Sequence, residues 1–339
     1  MTSPIRLVIV GHLGFAQDAT PRGSAVSLGG PAYACARGAA VVAAQGVGIL
    51  ARVGEDFNFP ALGKLGVDLR GVNVLAGPSP RFSIRQYPDG YRAFESDLGV
   101  ARDPAVDFFP KEYEAASHFH LATMPPVQQA EWLRFLRRRQ PRSDVSVDMF
   151  EHNAAEHPDL CRALCRDADL DFLNKVECQL LFGEGPLPDV PMIIKGGAEG
   201  AWYRVQDSYH HIQAPQADAI DTTGAGEILA GVLLSLRTLG VEMTDALAYA
   251  VSVASAKVTE FGVDGAAVDA ALAAVRDAIG ERPGWLAVLG GHAEQAVLDL
   301  GAQACGQCRD VWSSLCQLVQ PFPDTRVQGA EGDERCPCV

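Results

Sequence analysis

The stretch Asp221-Thr222-Thr223-Gly224-Ala225-Gly226-Glu227 opens an apolar run, Ile228 to Leu239, with helical spacing. Small residues at a helix start leave the first backbone N–H groups uncovered, and those groups carry roughly half a positive charge along the axis. Such an end suits phosphate oxygens, or the charge that develops on a transferring phosphoryl group. Glu227, in the first turn, sets a carboxylate beside this anion hole, where it could accept the proton of an attacking hydroxyl. The same residues also fit a plainer pattern, a helix capped by Asp221 or Thr223 with Glu227 complementing the dipole. Taken alone, the stretch leaves both readings open.

The elements around it follow a regular rhythm. Ile5 to Val10 reads as a buried strand ending at Gly11, residues 31 to 44 as an Ala-rich helix, and Val47 to Val53 as a second strand. Glu55 to Leu65 could form a short helix. Arg81 to Glu95 reads as a hairpin turning at Pro88-Asp89-Gly90. Strands at Phe119–Leu121, Val145–Asp148, Phe172–Asn174 and Met192–Lys195 alternate with helices at 127–139, 154–167 and 177–182. Alternation at this spacing predicts a mainly parallel sheet covered on both faces. Ala201 to Gln213 reads as more strand, and 224–239, 242–261 and 265–279 as three successive helices.

Composition narrows the function classes. Hydrophobic residues make up 48% of the 339 and charged residues 21%, enough to fill a core and unlike a disordered chain. The formal charge of −14 gives no broad attraction for nucleic acid, so any bound anion must be held locally. No apolar run has the roughly 18–20 residues of a membrane span. Met1 to Val10 lacks a secretory pattern, and a cytoplasmic location is expected.

The 221–227 stretch resembles the signature D-T-x-G-A-G-D of the ribokinase-like (PfkB) carbohydrate kinase family, with Glu227 in place of the last Asp. Further pieces fall in the family's order: Gly29-Gly30 before the Ala-rich helix, Asn174-Lys175-Val176-Glu177, Ile194 to Ala201, and Ala254 to Gly262. The likeness runs from about residue 5 to about residue 280. It implies a three-layer α/β/α sandwich with a mainly parallel sheet and a small β lid from segments near 12–30 and 72–97. A kinase domain would then span 1–282 and a C-terminal extension 283–339. The resemblance further implies an ATP-dependent kinase that transfers the γ-phosphoryl group of MgATP to a hydroxyl of a sugar, a polyol such as inositol, or a nucleoside. Gly224, Ala225 and Gly226 would form the anion hole and Glu227 would stand for the catalytic base. Asn174, Glu177, Lys195, Gly196, Gly200, Thr223 and Ala254 would lie along the nucleotide, with Glu177 holding Mg²⁺ through water. The acceptor would meet His12, Asp18, Gly29, Gly30 and Tyr33. A homodimer through the lid is a further expectation of the family.

Three positions depart from the family. Glu227 is one methylene longer than Asp. Ala34 stands where the family often has a substrate-binding Asn, and Ala16 where it usually has a substrate-binding Asp, for which Asp18 or His12 could compensate. These departures motivate an alternative: a homologue that binds nucleotide or sugar with impaired catalysis. Gly46-Val47-Gly48-Ile49-Leu50-Ala51 matches a loose dinucleotide pattern but precedes a strand instead of following one, which argues against an NAD-linked oxidoreductase. His118 and His120 share a strand face and read better as a hydrogen-bonded or exposed strand feature than as metal ligands. Arg81, Arg85 and Arg92 on the hairpin raise a phosphorylated acceptor, though a neutral polyhydroxy compound is favoured. Cys305, Cys308, Cys316, Cys336 and Cys338 crowd the end with irregular spacing, unlike a zinc site.

Overall fold

The computed structural model describes residues 4–42, 46–87, 92–103 and 106–280, all within a compact unit spanning Met1–Glu294. The C-terminal cysteines and the Pro88-Asp89-Gly90 turn lie outside the described residues.

In chain order the elements begin with β1 (Leu7–Val10), β2 (Gly14–Thr20), β3 (Gly23–Gly29), α1 (Pro31–Ala39), β4 (Val47–Gly54), α2 (Phe59–Gly63), β5 (Val72–Leu75), β6 (Arg81–Gln86) and β7 (Arg92–Asp97). The βα series follows: β8 (His118–Leu121), α3 (Pro126–Arg139), β9 (Asp144–Asp148), α4 (Glu151–Glu156), α5 (Pro158–Asp167), β10 (Leu170–Asn174), α6 (Lys175–Phe182) and β11 (Met192–Lys195). The chain continues through β12 (Ala201–Val205), β13 (Ser208–Ile212), α7 (Ala225–Thr238), α8 (Met243–Lys257) and α9 (Ala266–Gly280).

Nine strands form the main sheet in the order β13-β12-β11-β10-β9-β8-β1-β4-β5. Pairing is parallel from β11 to β5, and β12 alone is reversed, pairing antiparallel with both β11 and β13. Continuous apolar strands such as Leu7–Val10 suit this sheet because both faces are covered. Leu7 and Ile9 face a layer holding Ala32, Ala36, Ile228, Val232 and Leu247, from α1, α7 and α8. Val8 and Val10 face the opposite layer, with Trp132, Leu136, Leu164 and Leu181 from α3, α5 and α6. The expected three-layer sandwich is therefore present.

A second sheet of four strands, β3-β2-β6-β7, forms the lid. Val72–Leu75, inside the expected lid span, instead pairs with β4 at the edge of the main sheet. The helix expected over 154–167 is two helices. Pro158 cannot continue a helix begun at Glu151, but it fits the first turn of a new one. The lid hairpin is tied back to the body by Arg22, whose guanidinium donates to both carboxylate oxygens of Asp218 at 2.8 and 3.0 Å.

Helices α1 and α7 touch through their backbones. A Cβ at Gly231 would stand 1.9 Å from the Cys35 carbonyl oxygen, and one at Gly38 would stand 2.3 Å from that of Ile228. α1 begins at the glycine pair Gly29-Gly30, and α7 begins at the anion-hole sequence, so this contact fixes two ends of one site.

Candidate active site

The C-terminal ends of the parallel strands converge where ligands bind in open α/β sheets. Asp148 ends β9, Asn174 ends β10 and Lys195 ends β11. α7 starts among them. Gly224 caps it with φ of +80°, a left-handed conformation that an L side chain rarely adopts, and Ala225 to Glu227 form the first turn. No side chain caps this end. A Cβ at Gly226 would stand 3.2 Å from Lys195 Cδ and 3.3 Å from its Nζ, so the lysine reaches the first turn of α7.

Lys195 is largely but not fully buried, its side chain 16% exposed, and its Nζ donates to Asp148 Oδ1 at 2.6 Å. Burial works against its charge, but Asp148, Glu177 and Glu227 together hold its pKa above the ordinary value. Burial raises Asp148 to about 6, with Glu227 adding to the rise and Lys195 opposing it. Its second carboxylate oxygen, Oδ2, is buried with no partner.

Asn174 and Glu177 form a reciprocal cap on α6. The Asn174 Oδ1 accepts the Glu177 N–H at 2.8 Å, and Glu177 Oε2 accepts the Asn174 N–H at 2.7 Å. Asn174 Nδ2 also donates to Glu151 Oε1 at 2.9 Å, bringing a further carboxylate to the group. Burial lifts Glu177 to about 7. Among the described residues no cluster has the direct ligand geometry of a bound metal ion. The donor set still suits Mg²⁺ held through water: hard carboxylate oxygens in excess of the single lysine, and one of them, Asp148 Oδ2, unpartnered.

Gly196 and Gly200 close the turn between β11 and β12, where the Gly196 N–H donates to the Gly200 carbonyl at 2.8 Å. Thr223 N–H donates to Asp221 Oδ1 at 2.9 Å, tightening the loop before α7. Ala254 lies half-buried on α8, packed against the core beside α7.

A cavity of about 520 Å³ lies under the lid and opens onto the start of α7. Thr223, Gly224 and Glu227 line its inner end together with His12, Asp18, Gly29 and Gly30. Asp18 is only 4% exposed, and its Oδ1 has no partner. Burial raises its pKa to about 6, with Asp221 and Glu227 pushing the same way and Lys257 opposing. Ala16 and Asp18 share one face of β2, two residues apart, and both line the cavity. Asp18 thus sets a carboxylate on the cavity face two residues beyond Ala16. His12 Nε2 pairs with Gln128 Oε1 at 3.0 Å, and burial lowers its pKa to about 4, so its ring is neutral.

Tyr33 is not brought to the cavity. It is buried in α1, and its hydroxyl donates to the Asp264 carboxylate at 2.9–3.0 Å. Ala34, on the same helix, does line the cavity. Arg81 and Arg85 point away from it, since Phe82 and Ile84 on the other face of β6 are the lining residues. Arg81 instead bonds Asp56 at 3.0 Å and lies over Phe15. His118 and His120 both pair with Ser146 Oγ at 2.8 Å, and among the described residues no group of three metal-ligating side chains gathers there.

Sequence reasoning did not mark the outer wall of the cavity. Phe94 and Phe150 form an aromatic pair there, edge-on at 4.9 Å between centroids, while Phe82, also lining the cavity, stacks against His12 at 6.3 Å. His152, Asn153, Glu156 and His157 on and after α4 supply polar groups beside it. Asp148 was also missed, although an acidic residue closing an apolar parallel strand is a visible signal.

The pfkB family carbohydrate kinase model matches residues 12–270. The chain belongs to that family. Its members are kinases of the ribokinase type, phosphotransferases with a hydroxyl acceptor, and ATP is the nucleotide expected for them. The chain is 26% identical over 247 residues to a cytidine kinase of Thermococcus kodakarensis, an alignment covering 68% of this chain and 87% of that protein. Its fold is similar to that of a Burkholderia thailandensis nucleoside kinase in complex with inosine, with a TM-score of 0.69 and 20% identity, covering 82% of this chain and 100% of the other. It is also similar to a Cryptococcus neoformans ribokinase in complex with ADP, with a TM-score of 0.68 and 17% identity, over 81% of this chain and 99% of that one. Among the described residues no helix is long and apolar enough to cross a membrane.

Proposed function

We propose that this kinase transfers the γ-phosphoryl group of MgATP to a hydroxyl of a neutral nucleoside. The observation that carries the reading is the cavity. One end holds two carboxylates, Asp18 and Glu227, beside the α7 N-terminus, with Phe82 close by against His12, and the pair Phe94 and Phe150 forms an aromatic wall at the start of α4. Hydroxyls of a ribose fit the carboxylate end, and a flat base fits the aromatic wall. No lysine or arginine lines the cavity among the described residues, which disfavours an acceptor that already carries a phosphate. The cytidine kinase likeness supports the same choice.

In this mechanism Asp18 orients the acceptor and Glu227 takes its proton. The N–H groups of Gly224, Ala225 and Gly226, of which that of Ala225 also reaches the Thr222 carbonyl at 3.4 Å, stabilise the charge on the phosphoryl oxygens. Lys195 reaches the same turn and can meet phosphate. Asp148, Glu151 and Glu177 would hold Mg²⁺ through water, and the ion would neutralise phosphate charge. Lid strands β2, β3, β6 and β7 exclude water from the transfer.

ADP release measured with a panel of nucleosides, sugars and polyols tests the reading. Nucleosides are expected to give the highest kcat/KM. Preference for a free sugar, an inositol or a sugar phosphate would overturn the nucleoside assignment, and ATP binding without any turnover would favour the catalytically impaired alternative.

A further inference from the structure

Lys257 is the last residue of α8, and its side chain is completely buried. The same helix buries Ala246, Leu247, Ala250, Val251 and Val253. An ammonium ion taken wholly out of water is costly, and a pair of opposite charges buried together is often no more stable than apolar residues of the same size. Fold stability alone therefore explains the residue poorly, and its contacts point elsewhere. Nζ donates to the Asp221 carbonyl at 2.7 Å and to Asp221 Oδ2 at 2.8 Å. One ammonium thus fixes both the backbone and the side chain of the residue that starts the anion-hole sequence.

The rest of the loop hangs on that carboxylate. Asp221 Oδ1 accepts the Thr223 N–H at 2.9 Å, one residue before the left-handed Gly224. Asp221 Oδ2 also accepts the Gly262 N–H at 3.1 Å, and Gly262 lines the acceptor cavity. The backbone of the loop is further pinned to α8, where the Ile220 N–H donates to the Val258 carbonyl at 2.7 Å. Asp18 and Glu227 lie close enough for the Lys257 charge to be felt. Lys257 is therefore a cation set among three carboxylates where negative phosphate must arrive.

We propose that Lys257 is a positioning residue for phosphoryl transfer: its buried ammonium, chelated by the carbonyl and carboxylate of Asp221, holds the 221–224 loop in the shape that aims the α7 N-terminus at the phosphoryl group. The inference rests on the anion-hole reading of Gly224–Gly226. It touches no substrate itself, so its removal acts on the transition state through the loop rather than on ground-state binding.

The experiment uses Lys257→Met, which keeps the apolar stem of the side chain and deletes the terminal ammonium, and the double variant Lys257→Met/Asp221→Asn, which leaves no buried unpaired charge. Three quantities are read in each: kcat and KM for ATP and acceptor, amide hydrogen exchange across residues 220–228, and the response of kcat to ammonium chloride against sodium chloride at equal ionic strength. The expected result is a kcat lower by about a hundredfold, the cost of roughly 1 Å of misplacement, with KM values near those of wild type. Exchange at Thr223 and Gly224 should accelerate. Ammonium, small enough to enter the vacated oxygen cage, should restore kcat in Lys257→Met where sodium does not. A folded Lys257→Met enzyme with wild-type kcat overturns the proposal, as does a loss that ammonium leaves untouched. Should Lys257→Met fail to fold, the double variant decides: wild-type kcat overturns the proposal, and a fall in kcat at unchanged KM supports it. If the wild type transfers phosphoryl to no acceptor, the proposed function fails, and the exchange rates at Thr223 and Gly224 still show whether Lys257 holds the loop.

Discussion

Glu227→Gln keeps the size of the side chain and removes the proton acceptor. General-base catalysis is worth about 10²–10⁴-fold, so kcat should fall by that range while ATP affinity barely moves. Glu227→Asp separates two histories of the site: an enzyme that gains activity retains the geometry of the shorter base, and one that loses it has adjusted to the longer one. A Glu227→Gln enzyme as fast as wild type would reduce the residue to a helix-terminal charge. Asp18 gives a prediction on stability. Its carboxyl sits near 3.8 in an unfolded chain and near 6 here, because burial disfavours the charge. Between those values the folded state binds the extra proton, so the stability Asp18 contributes is present at low pH and lost as pH rises through 6. Asp18→Asn should therefore raise the melting temperature at pH 8, do so much less at pH 4, and lower kcat/KM for the acceptor. A shift of equal size at both pH values would rule out the buried-carboxylate explanation. The residues that were legible in the sequence, Gly224 to Glu227, are contiguous, and their spacing alone sets the helix start. Asp148 and Lys257 gain their meaning only from partners 47 and 36 residues away, Lys195 and Asp221, and no local pattern records those partners.

Helices and strands were read from periodicity, and the parallel sheet followed because apolar strands alternated with amphipathic helices. Two errors have local causes. Pro158 lies inside a run that is otherwise helical on both sides, and it splits α4 from α5. Val72–Leu75 alternates like a lid strand but pairs with β4, a choice made by the register of Ala51 to Gly54 and not by its own sequence. At this scale the contact between α1 and α7 is the place to test. Gly231→Ala puts a methyl against the Cys35 carbonyl, where overpacking typically costs about 1–3 kcal/mol. The variant should melt earlier, and because α7 is displaced at its N-terminal half, kcat should fall more than the loss of folded protein explains. Equal stability in urea titration would show that the helices part without cost. Asn174→Ala removes one half of the α6 cap, worth about 1 kcal/mol, and frees Glu177 from its neighbour. Its effect should appear in the Mg²⁺ dependence of the rate as well as in stability.

The whole molecule joins these parts through the lid. The β2–β3 hairpin carries Asp18 four residues before Arg22 at its turn, with the glycine pair at its open end, and Arg22 grips Asp218 just ahead of the anion-hole loop. Ligands at the two ends therefore meet a common frame. A ligand that binds only the folded chain stabilises it by about 2.7 kcal/mol at a hundredfold excess over its Kd. MgATP should raise the melting temperature by several degrees, EDTA should remove most of that rise, and Gly226→Asp should abolish it by placing a carboxylate where phosphate belongs. A chain whose melting is indifferent to millimolar MgATP would contradict the nucleotide site.

Under the proposed role of Asp18, an acceptor carboxylate at position 18 where the family usually has one at position 16 carries a consequence for how such enzymes can differ. A strand advances about 3.3 Å per residue and returns to the same face every second residue, so a binding group at position 18 stands about 6.6 Å along β2 from one at position 16, on the same wall of the cavity. Intermediate positions were never available, because the residue between points to the far side of the lid. The strand thus acts as a graduated rule, and selection for a longer or shorter acceptor can proceed in fixed steps while the sheet, the anion hole and the distance between α1 and α7 remain as they were.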